Sequence, residues 1–137
     1  MSPDLLWEPS PEAVANSRLN AYQAWLKEQG IGPEGPGYEN LWEWSTDQPE
    51  QFWESLWNYF DVLHDGSYER VLSTHEMPGA KWFEGTRLNY AEHVFRDRDP
   101  DSIAIIGRDE GDGELTEYTW ETLRHWVGIY AGSLKKL

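Results

Sequence analysis

The chain has 137 residues, a formal net charge of −14 and a composition that is 39% hydrophobic and 15% aromatic. This length suits one globular domain, and the aromatic content argues against intrinsic disorder. The negative charge argues against nucleic-acid binding, because the one local basic cluster is Lys135 and Lys136, and the lack of cysteine excludes disulfides and thiolate metal sites.

The first stretch of the sequence, MSPDLLWEPSPE, contains neither the basic nor the apolar region of a secretory signal. No apolar run in the sequence approaches the roughly 20 residues that span a bilayer. We therefore expect a cytoplasmic protein that binds neither membranes nor nucleic acid.

Residues 10–30 are predicted to form one helix. Ser10 suits the N-cap, Pro11 suits the first turn, and Gly30 suits the C-terminal end. The apolar face of this helix would consist of Val14, Ala21, Tyr22 and Trp25. The glycine- and proline-rich stretch 30–37 then predicts a loop.

Residues 38–60 are predicted to be helical, with Asp47 and Glu50 spaced as in a capping box. The helix would carry a stripe of large apolar side chains, namely Phe52, Trp53, Leu56, Trp57 and Phe60. This stripe is too wide for one ordinary buried face. We expect either that two partners flank the helix or that an aromatic strip is exposed.

The segment 61–87 is predicted to be mostly loop, with a short strand at 70–73 and a turn at Pro78-Gly79. A short amphipathic helix should follow, with its apolar face formed by Leu88, Ala91 and Phe95. Residues 96–101 then form a polar connection.

The runs SIAIIGR and LTEYT, separated by the glycine-containing loop DEGDGE, predict a β-hairpin. Thr119 is the expected N-cap of a final helix, whose apolar stripe is Leu123, Val127, Tyr130 and Leu134. The sequence ends on an apolar residue without a helix-terminating signal, so we expect that the polypeptide continues. The predicted fold class is α+β, with N-terminal helices, a β-hairpin and a C-terminal helix.

Sequence motifs for catalysis are missing. The four histidines lack HxxxH or HExxH spacing, and neither GxxxxGK[ST], GxGxxG nor GxSxG occurs. Asp97, Asp99 and Asp101 imitate the start of a calcium loop, but Ser102 and Arg108 occupy the positions that require Gly and Glu. We therefore predict no catalytic, cofactor-binding or metal-binding residue.

The stretch KWFEGTRLNYAEHVF, residues 81–95, resembles the WFxGxxLNYAE segment near the start of acyl-CoA synthetases, especially acetoacetate–CoA ligases. The match is carried by Trp82, Phe83, Gly85, Leu88, Asn89, Tyr90, Ala91 and Glu92. The stretches before it look like the N-terminal extension of that family, and the stretches after it look like its first hairpin and the following helix.

The resemblance implies an adenylate-forming ligase, which converts acetoacetate, ATP and CoA to acetoacetyl-CoA, AMP and pyrophosphate. In that pattern the phosphate loop, the acyl pocket and the catalytic lysine lie beyond Leu137. This stretch would therefore bind no cofactor and be inactive alone, whereas ATP, Mg²⁺ and CoA would serve the full-length enzyme. Residues 1–95 would be the N-terminal extension, and residues 96–137 would begin the AMP-binding domain.

The resemblance also assigns a structural docking role to six residues of the motif, namely Trp82, Phe83, Gly85, Leu88, Asn89 and Tyr90. The expected partner is the remainder of the parent enzyme, with a homodimer through exposed apolar faces as a second possibility. The alternative function is a free-standing interaction or regulatory module without catalysis. Its peptide- or sugar-binding strip would be Trp42, Trp44, Trp53 and Trp57.

Overall fold

The computed structural model describes residues 6–111 and 113–137 and divides into two units. The first unit ends at Arg87, and the second spans Leu88–Leu137. The helices of the first unit are α1 (Pro11–Ala15), α2 (Arg18–Gln29), α3 (Tyr38–Asp47) and α4 (Pro49–Tyr59). The second unit consists of α5 (Tyr90–Phe95), β1 (Ile103–Gly107), β2 (Thr116–Thr119) and α6 (Trp120–Leu134). The predicted α+β class is confirmed.

The helix predicted over residues 10–30 is two helices in the structure. Ser10 caps α1 as predicted, but the chain leaves the helical conformation at Asn16. The Ser17 side chain then accepts a hydrogen bond from the backbone N–H of Asn20, which starts α2. A second strong capping residue inside the pattern therefore restarts the helix. Gly30 ends α2 in the left-handed conformation, as predicted.

The helical stretch 38–60 is also divided. Asp47 is the last residue of α3, and Gln48 is the N-cap of α4, where no side chain makes a capping hydrogen bond among the described residues. The capping-box prediction for Asp47 and Glu50 is therefore wrong. Pro49 at the first position of α4 starts this helix instead, because its fixed φ suits a first turn.

The core of the first unit lies between α2, α3 and α4. Its buried side chains are Tyr22, Leu26, Leu41 and Trp44, against which Trp25, Phe52, Leu56 and Tyr59 pack. The Ser55 hydroxyl donates to the Phe52 carbonyl at 2.6 Å. Because this uses the Ser55 proton, the Tyr22 hydroxyl, 2.5 Å away, is the donor to Ser55 Oγ. Ala21, which was predicted to lie on the apolar face of this helix, is exposed, and Leu26 is buried on α2 instead.

The segment 61–87 covers the opposite side of α4 from this core. Two isolated bridges fold it back on itself, one between Asp65 and Arg87 and one between Leu72 and Trp82. The strand predicted at 70–73 is therefore reduced to the single bridge at Leu72. The Trp57 ring of α4 contacts the Tyr68 and Phe83 rings of this segment, so α4 is flanked on two sides. Trp53 and Phe60 of its wide stripe nevertheless remain exposed, so both expected outcomes occur together.

The second unit is held together by the hairpin and by an aromatic cluster. β1 and β2 pair antiparallel, with a bulge between Ile103 and Ile105, and Thr119 caps α6 as predicted. The Phe95 ring meets the Trp120 ring edge-on at 5.7 Å. The Arg124 guanidinium lies 5.0 Å from the Phe95 ring and donates to the Phe95 carbonyl at 2.7 Å. These contacts join α5 to the second unit, while the predicted division into residues 1–95 and 96–137 of the parent enzyme stays a prediction.

Within residues 6–111 and 113–137, no helix is long and apolar enough to cross a membrane.

Candidate docking surface

Phe83 lies inside the first unit. Its ring stacks on the ring of buried Trp57 with the centroids 4.2 Å apart, and it meets the Tyr68 ring edge-on at 5.1 Å. Its amide donates to the Val71 carbonyl at 2.8 Å, and its carbonyl accepts from the Thr86 hydroxyl at 2.7 Å. Phe83 therefore anchors the 61–87 segment on α4, and its side chain is already engaged within this unit.

Gly85 is required by a close approach of two backbone segments. It has a φ of 101°, and a Cβ atom built on it would overlap the Ser67 carbonyl oxygen. A Cβ on Gly66, whose φ is 81°, would overlap the Gly85 carbonyl oxygen in the same way. Two glycines thus allow the segment to close next to the bridge between Asp65 and Arg87.

Trp82 points outward and pairs with another exposed tryptophan. Its ring meets the Trp53 ring at 5.7 Å, and the two residues remain 43% and 46% exposed. Trp53 also meets the Phe52 ring at 5.5 Å, so the outer pair continues into the core. The sequence gives no local signal for this pair, because the contact depends on how the 61–87 segment folds over α4.

The rest of the motif lies in the second unit. Asn89 is the N-cap of α5, and its Oδ1 accepts a hydrogen bond from the Glu92 amide at 3.3 Å. Leu88 and Tyr90 are exposed. Of the six predicted docking residues, three have roles inside their own unit, and three present exposed side chains. The first group is Phe83, Gly85 and Asn89, and the second is Trp82, Leu88 and Tyr90.

The four tryptophans predicted as a binding strip differ in their exposure to solvent. Trp44 and Trp57 are buried, whereas Trp42 and Trp53 are exposed. The exposed aromatic pair is instead made by Trp53 and Trp82.

The final helix exposes several large apolar side chains. Leu123 is half-buried, while Val127, Tyr130 and Leu134 are exposed, and no residue of α6 is buried in the described structure. Trp126 contacts the Tyr118 ring of the hairpin at 5.1 Å. The hairpin therefore covers one side of α6 and leaves the predicted stripe largely open.

Two tyrosines in the first unit, Tyr22 and Tyr68, have raised pKa values. Burial raises the pKa of Tyr22. Burial also raises the pKa of Tyr68, as do its hydrogen bond to the Glu54 carboxylate, at 2.9 Å, and the charge of that carboxylate. Both hydroxyls act as hydrogen-bond donors in the packing of the unit, and burial is the main cause of both pKa shifts.

The described part of the chain contains no group of three or more His, Asp or Glu side chains that could hold a metal ion. The acidic turn that imitates a calcium loop is closed by hydrogen bonds between side chains and backbone of its own residues. Asp99 Oδ1 accepts from the Asp101 amide at 3.2 Å, and the Asp99 carbonyl accepts from the Ser102 hydroxyl at 2.8 Å.

The family described as acetyl-coenzyme A synthetase N-terminus matches residues 38–94. The match starts at the first residue of α3, includes the whole 61–87 segment, and ends inside α5. It therefore contains all six predicted docking residues.

Individual relatives extend the similarity to the whole chain. The acetoacetyl-CoA synthetase of Gallus gallus is 30% identical over 100% of this chain and 20% of its own length. The malonamoyl-CoA synthetase of Penicillium aethiopicum is 35% identical over 66% of this chain and 13% of its own. The solved acetoacetyl-CoA synthetase from Streptomyces lividans has a TM-score of 0.89 and 39% identity, over 98% of this chain and 21% of its own. This chain thus spans about one fifth of the length of the curated acetoacetyl-CoA synthetases it matches.

Proposed function

In sequence and fold this chain belongs with the N-terminal regions of the acetoacetyl-CoA synthetases, and from that premise we propose that it serves as the N-terminal part of such a ligase. The observation that carries the proposal is the likeness to the Streptomyces lividans enzyme, which holds over 98% of the chain at 39% identity. The full-length protein would join acetoacetate to CoA through an acetoacetyl-adenylate, using MgATP and releasing AMP and pyrophosphate. We place this reaction in the cytoplasm.

The contribution of this chain to that reaction is structural. Its sequence contains no phosphate-binding loop motif, so the groups that bind ATP, Mg²⁺ and CoA belong to the rest of the ligase. The exposed side chains of the motif, Trp82, Leu88 and Tyr90, are available to contact that remainder. The engaged residues, Phe83 and Gly85, hold the 61–87 segment in the shape that presents Trp82.

The test is a chimera in which this chain replaces the matching N-terminal fifth of the Streptomyces lividans enzyme. We expect acetoacetate-dependent pyrophosphate release from the chimera and none from the isolated chain. Circular dichroism and thermal melting show whether each protein is folded. A folded chimera without activity, or robust turnover by the isolated chain, would contradict the proposal.

A second candidate function is a Trp-based interaction module, which the exposed pair of Trp53 and Trp82 favours. Rings that meet edge-on and stay half-exposed can accept a sugar face or a proline ring. Titration of intrinsic fluorescence with oligosaccharides and proline-rich peptides tests it. Saturable quenching that disappears in Trp53→Ala and persists in Trp42→Ala would support the module, and the lack of any saturable change would dismiss it.

A further inference from the structure

One long stretch of the sequence contains no basic residue. Between Lys27 and His64 there is no lysine, arginine or histidine, whereas aspartate and glutamate recur along the whole stretch. Helices α3 and α4 both lie within it. The charged side chains of these two helices are therefore all negative, and no basic neighbour in the sequence balances them.

The exposed side of α3 lies opposite its buried side. Leu41 and Trp44 are the buried residues of this helix. At roughly 100° of rotation per residue, the side that faces away from them carries two aromatic residues and two carboxylates. All four are exposed, and they are Tyr38, Trp42, Glu39 and Glu43. We call this surface the acidic-aromatic face of α3.

The two pairs form parallel rows along the helix. Residues four apart are neighbours on a helix surface, so Tyr38 lies beside Trp42 and Glu39 lies beside Glu43. Tyr38 and Trp42 are 67% and 55% exposed. Like charges four residues apart destabilise a helix. Within residues 6–111 and 113–137, no basic group forms an ion pair with Glu39 or Glu43, so this repulsion is not compensated within the chain.

Both rows attract the same chemical group. The face of an exposed tryptophan or tyrosine ring attracts a cation, most often an arginine guanidinium. A carboxylate accepts two parallel hydrogen bonds from the same group. Arginine can therefore stack on one row and pair with the next, which a lysine ammonium does less well. Because each row has a spacing of four residues, it matches arginines placed four residues apart on a second helix.

We propose that the acidic-aromatic face of α3 docks a basic helical segment of a separate protein. Arginines four residues apart on that segment lie over Tyr38 and Trp42 and pair with Glu39 and Glu43. The chain thereby recruits a basic partner, a role that is distinct from its structural part in the ligase.

Charge and composition favour a separate basic protein over the other occupants of this face. A second copy would bring the same acidic surface and a further net charge of −14, so it would be repelled. Permanent interfaces are rich in apolar surface, and charged residues are depleted from their cores. The face of α3 instead carries as many carboxylates as rings, and complementary charge then selects a basic partner.

The experiment is a binding titration at about 0.15 M salt. The probe is a fluorescently labelled, alanine-based helical peptide with arginine at every fourth position, and its anisotropy is measured against the isolated chain. A second peptide has lysine in place of each arginine. Trp42→Ala removes one ring of the face, and Trp7→Ala, at a tryptophan that is 76% exposed outside α3, is the matched control.

A second pair of variants tests the carboxylates. Glu39→Gln/Glu43→Gln removes two charges from the face of α3. Glu110→Gln/Glu114→Gln removes the same charge from exposed positions in the hairpin loop and is the matched control. Circular dichroism shows whether each variant is folded.

We expect Trp42→Ala to weaken binding of the arginine peptide by about two- to fivefold, as for an exposed contact between a cation and a ring. Glu39→Gln/Glu43→Gln should weaken it at least as much, both controls should leave it nearly unchanged, and the lysine peptide should bind more weakly. Equal losses in a variant and its control would overturn the inference, because the net charge alone would then attract the peptide. The lack of saturable binding, or equal affinity for both peptides, would also overturn it.

The same titration with the chimera separates the partner from the rest of the ligase. We expect the chimera to bind the arginine peptide as tightly as the isolated chain does. A folded chimera that does not bind would show that the remainder of the ligase covers the face, and would overturn the inference. Pyrophosphate release is measured separately, so an inactive chimera that binds the peptide would reject the proposed ligase function while supporting the docking face.

Discussion

The Phe83 ring stacks on the Trp57 ring with 4.2 Å between centroids and 23° between planes, whereas the neighbouring Trp82 ring faces outward. Two adjacent aromatic residues of one motif thus have different structural roles. Phe83 stabilises the first unit, and Trp82 remains available at its surface.

The first prediction separates these roles by truncation. Phe83→Ala should lower the free energy of unfolding by about 2 kcal/mol, less than for a fully buried phenylalanine because Phe83 is half-buried. Trp82→Ala should cost below about 1 kcal/mol, since it loses mainly the edge contact with Trp53. Urea unfolding followed by circular dichroism measures both. Equal losses would show that Phe83 does not anchor the segment.

The second prediction concerns the close approach at Gly85. Gly85→Ala adds a methyl group against the Ser67 carbonyl oxygen at a φ of 101°. Gly79→Ala is the matched control, because its φ of 115° is also positive, while a Cβ there would meet no heavy atom of the described residues within 4 Å. In both variants, backbone strain should lower the free energy of unfolding by about 1–3 kcal/mol. We expect Gly85→Ala to be at least about 1 kcal/mol less stable than the control. Similar unfolding midpoints would contradict the requirement for glycine at Gly85.

The third prediction concerns alkaline pH. The pKa values of Tyr22 and Tyr68 are raised in the folded state, mainly by burial. A raised pKa favours the protonated form in the folded protein. Its stabilising contribution is therefore complete below the unfolded value, near pH 10, and is lost as the pH rises through the folded value. Urea midpoints should fall above about pH 10.

The double variant Tyr22→Phe/Tyr68→Phe should be less stable at neutral pH, because both hydroxyls make hydrogen bonds. Its stability should nevertheless decline less between about pH 10 and pH 11. Tyr90→Phe removes an exposed hydroxyl and serves as the control. An alkaline decline of the same size in all three proteins would reject the assignment to Tyr22 and Tyr68.

The features predicted correctly from the sequence depend on neighbouring residues. Ser10, Gly30 and Thr119 act as caps because each satisfies backbone groups within its own helix end. The hairpin follows from two short β-rich runs around a glycine-containing loop. Ser17 and Pro49 carry equally local signals. They were missed because a continuous apolar pattern outweighed a capping residue within it.

The division of the motif could not be predicted in the same way. Whether Phe83 or Trp82 stacks on the buried Trp57 ring depends on the left-handed backbone at Phe83, with a φ of 46°, and on the two glycines that let the segment close. Both features arise from pairing between distant parts of the segment 61–87. The docking role of the exposed residues is a prediction that the chimera tests.

The last prediction concerns self-association of the isolated chain. The open stripe of α6 favours contact between copies, while the net charge of −14 on each copy opposes it. A patch of about 400 Å² represents roughly 10 kcal/mol of gross burial. Because association costs at least about 4 kcal/mol, the dimer should be weak. Salt shortens the screening length from about 10 Å at 0.1 M to about 3 Å at 1 M, so dimerisation should increase with ionic strength. Sedimentation velocity over a concentration series at low and high salt measures the fraction of dimer.

Tyr130→Glu should abolish the dimer. Val14→Glu, which adds the same charge at an exposed apolar residue of α1, should leave the dimer largely intact. A strict monomer at every salt concentration, or equal loss in both variants, would show that the stripe of α6 does not bind a second copy.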